Sequence, residues 1–179
     1  FNDKIIFDRI FNKINYQTPN IIININNLQK NFLKYNLPIV EDKLKGHLGP
    51  LAGIHASLIW IKKNMKNIKW LVSVPSDTPF IPKNLINKLY TKAVNLNKQI
   101  VMAKSNNKIH PVIAIWNINL LENLEIYLQN GERKIIIWAK NQDLEFEEFN
   151  EKHYDPFFNI NYKEDLIQAK KIEEKFIVN

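Results

Sequence analysis

The sequence predicts a single α/β domain built around a mostly parallel β-sheet. Short runs rich in β-branched residues, among them 20–26 and 70–74, alternate along the chain with segments whose apolar residues recur at helical spacing. Polar side chains or glycines follow several of these runs, where the carboxyl edge of a parallel sheet would lie. Because ligands bind at that edge in open α/β sheets, the same pattern predicts a ligand site there.

The composition supports one domain and excludes several classes of protein. A chain of 179 residues can bury one substantial core, and its 45% apolar and 11% aromatic content excludes disorder. It has no cysteine, which excludes disulfides, thiolate zinc sites and a cysteine nucleophile, and its four histidines lack metal-ligand spacing. Since no apolar run is long enough to span a bilayer and nothing resembles a signal peptide, we expect no membrane contact and a cytoplasmic location.

The charge pattern favours a small phosphate-bearing ligand over a nucleic acid. The formal net charge is +7, but the lysines are scattered along the chain. A basic balance suits phosphates of either kind, whereas a nucleic-acid surface would need a clustered basic face with interleaved aromatic residues. We therefore expect no nucleic-acid partner.

The first part of the chain is predicted to form a βαβ unit that follows an amphipathic helix. Its helices and strands alternate, and they lie at residues 1–14, 20–26, 28–35 and 37–40. The first strand ends in Asn24 and Asn26, and the second is followed by Glu41 and Asp42. These polar side chains are therefore expected at the carboxyl ends of neighbouring strands.

Three of the four glycines fall within eight residues, at Gly46, Gly49 and Gly53, around the start of a helix predicted over 51–61. Glycine lets the backbone approach a ligand closely, and Pro50 suits the first turn of a helix. A helix start of this kind binds anions or nucleotides. A plain loop-to-helix junction would have the same composition, so both interpretations stay open at this point.

A strand predicted over 70–74, buried on both faces, leads into a turn that holds Asp77. Three of the eight prolines, Pro75, Pro79 and Pro82, stiffen this turn. A carboxylate fixed just past a strand can hold a divalent cation against a phosphate. The alternative is that Asp77 only caps the turn.

The rest of the chain continues the alternation. Helices are predicted at 82–94, 118–128 and 162–176, and strands at 100–103, 110–116 and 144–149. His110 opens a strand and could meet the ligand. Residues 134–138 have the composition of a strand, with a helix as the alternative. Asn161 and Glu164 resemble a capping box, which accounts for Asn161 without a function, whereas Asn159 has no such structural explanation.

Four motifs occur in the order found in one known family. They are GPLAG at 49–53, PSDTPFIP at 75–82, HP at 110–111 and FNIN at 158–161. Over essentially its whole length the chain resembles the molybdenum cofactor guanylyltransferases. Related nucleotidyltransferases share the first two motifs, and the Asn-x-Asn motif together with GERK at 131–134 favours the guanylyltransferases.

The resemblance implies a Rossmann-like, doubly wound, mostly parallel fold of the nucleotidyltransferase type. It also implies transfer of GMP from GTP to molybdenum-bound molybdopterin, with release of pyrophosphate and with Mg²⁺ as cofactor. Asp77 falls at the magnesium position and is the implied catalytic and metal-binding residue. Six further residues fall at positions implied to bind nucleotide or pterin, Asn24 and Asp42 on the guanosine side, Gly49 and Gly53 at the glycine-rich helix start, and Asn159 and Asn161 on the pterin side or near the metal. The family pattern also favours a helix over 133–140.

The chain departs from the family pattern at its start. Family members open with a strand and a Gly-rich loop that carries an arginine and a lysine around the GTP phosphates, and this sequence begins after that loop. Lys4 matches a later, non-catalytic lysine. We therefore expect residues 1–179 to form one domain that is truncated relative to the family and lacks its first strand, with doubtful activity. A milder departure is Tyr162–Lys163, where Thr-Pro is usual.

Two other functions remain open from the sequence. One is a related nucleotidyltransferase that uses CTP or a sugar-1-phosphate acceptor. The other is a non-catalytic module that binds a nucleotide or a partner, which the absent phosphate loop makes plausible. Partner proteins, namely molybdenum enzymes or their chaperones, are expected in either case, because the cofactor is labile and would be handed over directly.

Overall fold

Helices and strands alternate along the part of the chain that the computed structural model describes, residues 6–27, 30–44 and 49–177. The helices are α1 (Ile6–Asn15), α2 (Pro50–Asn64), α3 (Leu85–Asn95), α4 (Leu121–Gln129), α5 (Ile135–Lys140) and α6 (Lys163–Phe176). The strands are β1 (Ile23–Asn24), β2 (Ile39–Val40), β3 (Trp70–Ser73), β4 (Ile100–Ser105), β5 (Lys108–Asn117) and β6 (Leu144–Glu148). Short 3-10 helices lie at Lys30–Tyr35 and Ile118–Leu120. The predicted order of elements is confirmed.

The strands form two groups. β1 pairs with β2 in parallel, and the other four strands lie in the order β3-β5-β4-β6. β5 is antiparallel to both of its neighbours, whereas β4 and β6 are parallel, so β3, β4 and β6 run in one direction. β5 runs the other way because a tight turn joins it to β4, with positive φ angles of 48° and 63° at Asn106 and Asn107. The predicted mostly parallel α/β fold is confirmed.

The prediction that β3 is buried on both faces of a parallel sheet is wrong. All four residues of β3 are half-buried, and the strand pairs antiparallel with β5 on one side. No strand of the described chain pairs with its other edge. That edge lines a cavity of about 530 Å³ whose opposite wall contains residues 21–24 of β1 and its approach. We call this space the interstrand cavity.

Helices cover both faces of the four-stranded sheet. α2, α4 and α5 pack on the face that carries Met102 and Trp116, and α1 and α3 pack on the face that carries Val101 and Ile115. The two sets of side chains come from the same strands because successive residues of a strand point to opposite faces. This two-sided packing is that of a doubly wound α/β domain.

The first half of α2 is buried on all sides. Every residue from Leu51 to Leu58 is buried, so this part of the helix lacks the polar face of an ordinary surface helix. α6 packs differently, because Ala169 and Ile172 contact Phe80 just beyond the Asp77 turn. Among the described residues no helix is long and apolar enough to cross a membrane.

The structure differs from the sequence-based predictions mainly at the ends of helices and in short helices or strands. Residues 135–140 form helix α5, as the family pattern implied, although their composition is that of a strand. The predicted capping box of Asn161 and Glu164 is wrong, because Asp165 Oδ2 accepts the hydrogen bonds from the amides of Asn161 and Tyr162, at 2.9 Å each. Residues 1–5 and 28–29 of two predicted helices, and Gly46 of the glycine cluster, lie outside the described residues.

Candidate active site

The interstrand cavity brings together three residues that the sequence placed in the site. Asn24, Gly53 and Asp77 all line it, and they come from β1, from α2 and from the turn after β3. Ser76 lines the same space. The cavity therefore joins the strand end, the helix start and the proline-rich turn that were separate motifs in the sequence.

Asp42 is held by two asparagine side chains. Asn24 Nδ2 donates to Asp42 Oδ1 at 3.0 Å and to the Val40 carbonyl at 3.0 Å. Asn26 Nδ2 donates to Asp42 Oδ2 at 2.8 Å, and its Oδ1 accepts from the Asp42 amide at 2.9 Å. Each carboxylate oxygen has further lone pairs, so the fixed carboxylate can still accept hydrogen bonds from a ligand. The tips of β1 and β2 thus present a preorganised acceptor.

Asn26 belongs to this cluster as well, although the family resemblance assigns it no role in binding. Asn24 and Asn26 are two apart, which puts their side chains on the same side of an extended segment. That spacing is the signal in the sequence that could have placed Asn26 beside Asn24 in the cluster. It was weak because asparagine is frequent throughout the chain.

Gly49 and Gly53 each require glycine, but for different physical reasons. Gly49 precedes α2 with a φ of 66°, and nothing lies within 4 Å of the place a Cβ would take, so its backbone conformation is the requirement. Gly53 is buried within α2 and faces the Asn24 side chain, so space is the requirement. Pro50 occupies the first turn of α2, as predicted.

Asp77 has a buried side-chain oxygen without a partner. Its Oδ1 makes no hydrogen bond to any residue that the structure describes. The hydrogen bond within the turn comes instead from Thr78, whose Oγ1 donates to the Pro75 carbonyl at 3.3 Å. A buried carboxylate oxygen without a donor is costly, and a cation would remove that cost. The turn-capping interpretation of Asp77 therefore leaves this oxygen unexplained, whereas a metal site accounts for it.

The donor set around Asp77 fits a hard, oxygen-binding divalent cation such as Mg²⁺. No group of three or more His, Cys, Asp or Glu residues that could hold a metal occurs among the described residues. Mg²⁺ is commonly bound through one or two carboxylates, with water and substrate phosphates completing its shell. A single rigid carboxylate at the cavity suits that arrangement.

Asn159 and Asn161 lie beside the Asp77 turn, not in the cavity. Both are exposed, and they flank Ile160, whose amide donates to the Asp77 carbonyl at 2.9 Å. Neither lines the interstrand cavity. The structure thus brings the Asn-x-Asn motif to the backbone of Asp77.

Two of the histidines that the structure describes are buried, and neither lines the cavity. His55 is in α2, and neither of its ring nitrogens has a hydrogen-bond partner among the described residues. His110, at the start of β5, contacts Ser105 Oγ through Nε2 at 2.8 Å. Burial lowers the pKa of both imidazoles below its ordinary value. His110 does not line the interstrand cavity, and its possible contact with a ligand stays a prediction.

The chain is similar to proteins with one shared activity. A model of the MobA-like NTP transferase domain matches residues 1–144. The chain is 33% identical over 168 residues to a molybdenum cofactor guanylyltransferase from Nitrobacter hamburgensis, with 93% of this chain and 80% of that protein covered. It is 32% identical over 165 residues to a protein of the same name from Rhodopseudomonas palustris, with 92% and 79% covered.

A solved structure shows the same fold. The crystal structure of molybdopterin-guanine dinucleotide biosynthesis protein A from Archaeoglobus fulgidus superposes with a TM-score of 0.75 at 21% identity, covering 98% of this chain and 89% of that one. This similarity confirms the nucleotidyltransferase-type α/β architecture. Together with the match over residues 1–144 and the two relatives, it shows that the chain belongs to the family of MobA-like NTP transferase domains, which are nucleotidyltransferases.

Proposed function

We propose that this nucleotidyltransferase transfers GMP from GTP to molybdenum-bound molybdopterin, giving the guanine dinucleotide cofactor and pyrophosphate. One observation carries the proposal: a single cavity is lined by Asn24, which fixes the Asp42 carboxylate, and by Asp77, whose buried Oδ1 has no hydrogen-bond partner among the described residues. A nucleotide that spans such a site needs a polar group that recognises its guanosine at one end. At the other end its phosphate charge must be neutralised. The relatives named as molybdenum cofactor guanylyltransferases support the choice of substrates.

Asp42 and its asparagines form the proposed guanosine-binding end. A carboxylate accepts hydrogen bonds only, and guanosine offers N–H donors on the base and O–H donors on the ribose. Because Asn24 and Asn26 hold both carboxylate oxygens in place, little side-chain freedom is lost when the nucleotide binds. The exposed position of Asn24 leaves the cluster accessible to a ligand.

Asp77 is the proposed metal-binding and catalytic residue at the phosphate end. When bound, Mg²⁺ would neutralise phosphate charge and make the α-phosphorus easier to attack. Attack by a terminal phosphate of the acceptor needs positioning and charge neutralisation more than a protein nucleophile. The Asp77 turn supplies the positioning, because its prolines and the hydrogen bond from Ile160 fix the backbone that carries the carboxylate. Gly49, Gly53, Asn159 and Asn161 remain proposed binding residues around these two ends.

The part of the interstrand cavity between the edges of β1 and β3 is also the proposed place of a further strand, and the nucleotide would then lie at the carboxyl ends of β1 and β3, beside Asn24 and Asp77. The side walls of the cavity are the edges of β1 and β3, and its faces carry apolar residues of α1 and α2, such as Ile10 and Ile54. A strand between β1 and β3 would join the two groups of strands into one sheet, with about 4.8 Å to each neighbour. We propose that residues 1–179 are one nucleotidyltransferase domain that this strand completes, with the phosphate loop of the family following it.

We propose cytoplasmic molybdenum enzymes or their chaperones as recipients of the product. The reason is chemical, since a labile cofactor favours direct transfer. The described surface does not single out a docking site for them.

Thermal-shift measurements with GTP, CTP and ATP, each with and without Mg²⁺, test the proposal. A ligand that binds only the folded chain stabilises it by RT ln(1 + [L]/Kd), so at equal concentrations GTP, as the tightest-binding nucleotide, should raise the melting temperature most. Equal stabilisation by all three nucleotides would contradict guanine selection. Preference for CTP would indicate a different nucleotidyltransferase, and stabilisation without any Mg²⁺ dependence would favour a non-catalytic binding module.

A further inference from the structure

A buried polar chain links the β4–β5 hairpin to the segment that carries the Asn-x-Asn motif. Ser105 is fully buried at the end of β4, and its Oγ contacts His110 Nε2 at 2.8 Å and Asp155 Oδ1 at 2.7 Å. The amide of Phe157 donates to the same Asp155 oxygen at 2.9 Å. None of these residues lines the interstrand cavity. The chain is therefore separate from the proposed substrate contacts.

The chemistry of the three groups fixes the direction of the hydrogen bonds. An ionised carboxylate only accepts, so the single hydroxyl proton of Ser105 goes to Asp155. Ser105 Oγ can then only accept from His110, which places a proton on Nε2 of that ring. The result is a directed chain from imidazole to hydroxyl to carboxylate, with the Phe157 amide as a second donor to its end.

The far end of this chain reaches the Asp77 turn. Phe157 is buried, with its ring centroid 4.8 Å from that of His110, and it is followed by Phe158, whose amide donates to the Asp155 carbonyl at 3.0 Å. Two residues later the Ile160 amide donates to the Asp77 carbonyl at 2.9 Å. The segment 155–160 is thus attached at its start to the hairpin and at its end to the turn.

A second contact holds the same segment against the turn. The Phe80 ring lies 5.7 Å from that of Tyr154 and 6.4 Å from that of Phe158. Phe80 is three residues after Asp77, so aromatic packing and the Ile160 hydrogen bond meet on one short stretch. Displacement of segment 155–160 would therefore also displace the backbone of Asp77.

We propose that Ser105 and Asp155 are positioning residues for the Asp77 turn, acting through segment 155–160. This inference rests on the proposed function, since it assigns the turn a metal and a phosphate to align. Loss of the Ser105–Asp155 hydrogen bond frees Phe157 and Ile160 from one anchor. The Asp77 carboxylate then samples several positions, which lowers its affinity for Mg²⁺ in the nucleotide complex more than the affinity of the chain for the guanosine part.

The test combines amide hydrogen exchange with metal-dependent nucleotide binding in Ser105→Ala and Asp155→Ala. Exchange of the Ile160 amide should accelerate about tenfold or more in both variants, while amides of β4 keep their protection. The Mg²⁺ concentration needed for half-maximal GTP stabilisation should rise several-fold. Stabilisation by GTP at saturating Mg²⁺ should change little. Asp155 is only half-buried, so its variant keeps the test available if Ser105→Ala folds poorly.

The matched control is Asn123→Ala. It removes a hydrogen bond of similar length, 2.7 Å to Trp138 Nε1, on the opposite face of the sheet. It should leave Ile160 exchange and the Mg²⁺ requirement at wild-type values. Unchanged Ile160 exchange in both variants would overturn the inference, as would faster exchange with an unaltered Mg²⁺ requirement. If wild type does not bind GTP at all, the proposed function fails, and the exchange measurement still decides whether Ser105 and Asp155 hold the turn.

Discussion

The Asn24 side chain occupies the space that a β-carbon on residue 53 would need. An ideal Cβ at Gly53 would lie 2.2 Å from Asn24 Oδ1 and 2.9 Å from its Cγ. Asn24 cannot retreat without breaking its hydrogen bonds to Val40 and Asp42. The glycine on the buried helix and the amide cluster at the strand tips are therefore one unit, although they are 29 residues apart in the sequence.

Gly53→Ala should consequently damage nucleotide binding as well as stability. We expect the free energy of unfolding to fall by about 1–3 kcal/mol and the GTP-induced rise in melting temperature to shrink. Gly131→Ala is the control, because Gly131 has a φ of 82° with open space around its Cβ position and lies outside the cavity. It should lower stability and leave the GTP effect unchanged. Additive losses in the Asn24→Ala, Gly53→Ala double variant would show that the two residues are not coupled.

Asn24→Ala alone should weaken GTP binding by about 1–3 kcal/mol, because it removes one of the two amides that fix Asp42. Isothermal titration calorimetry measures the effect. Asn95→Ala, at an exposed position at the end of α3, serves as the control and should bind GTP like wild type. Unchanged affinity in Asn24→Ala would mean that Asn24 has no role in GTP binding and only reflects the high asparagine content of the chain.

Asp77→Asn should abolish the Mg²⁺ dependence of nucleotide binding and of turnover while preserving the fold. The substitution removes a charge from a rigid turn and no core volume, so the melting temperature without ligand should be equal to or above that of wild type. The exposed Glu132→Gln is a charge-matched control. A wild-type rate in an active chain carrying Asp77→Asn would rule out the metal role.

His55→Leu should stabilise the protein, most of all in mild acid. Burial lowers the pKa of His55 below 6.5, so the unfolded chain binds a proton more readily than the folded chain. Stability contributed by the neutral ring is therefore present above pH 6.5 and is lost as the pH falls below it. Leucine also removes two buried nitrogens without partners, so we expect a gain of about 1–3 kcal/mol at pH 7.

Urea unfolding at pH 7 and pH 5 measures both parts of this prediction. The difference between the two pH values should shrink in His55→Leu without vanishing, because burial also lowers the pKa of His110. A loss of stability at pH 7 would mean that the imidazole contributes packing that leucine cannot replace.

Residues 1–179 produced alone, with no strand between β1 and β3, should transfer GMP very poorly and aggregate readily. Loss of one preorganised donor typically costs ~10²–10³ in rate, and an open strand edge invites pairing with other molecules. The comparison is between this chain and one carrying an added upstream strand and Gly-rich loop, by activity and by light scattering. Equal activity would mean that the phosphates are held elsewhere, with the helix start at Gly49 as the next candidate.

Local signals in the sequence predicted much of the site. These signals affect the structure within a few residues of where they occur. They are the three prolines around Asp77, the glycines around the start of α2 and the polar ends of two strands. The cluster of Asn24 and Asp42 followed from those signals because parallel neighbouring strands end at the same edge.

Features that depend on distant residues could not be predicted in the same way. Residues 135–140 have a strand-like composition, but they form a helix in which Trp138 stacks on Trp116, with ring centroids 6.1 Å apart, and donates to Asn123. Tertiary packing decided this element because intrinsic propensities differ by only a few tenths of a kcal/mol. The Ser105–Asp155 hydrogen bond spans 50 residues, so no local pattern indicates it.

The complete burial of residues 51–58 also limits which substitutions α2 can accept. Asn and Lys are frequent along the chain, yet neither occurs between Leu51 and Ile61, and the first lysine after Pro50 is Lys62. Long polar side chains are tolerated at solvated positions and rejected where neighbours surround every side chain. In a randomised library the positions 51–58 should therefore accept small or apolar residues almost exclusively, unlike the exposed positions where Asn and Lys are common.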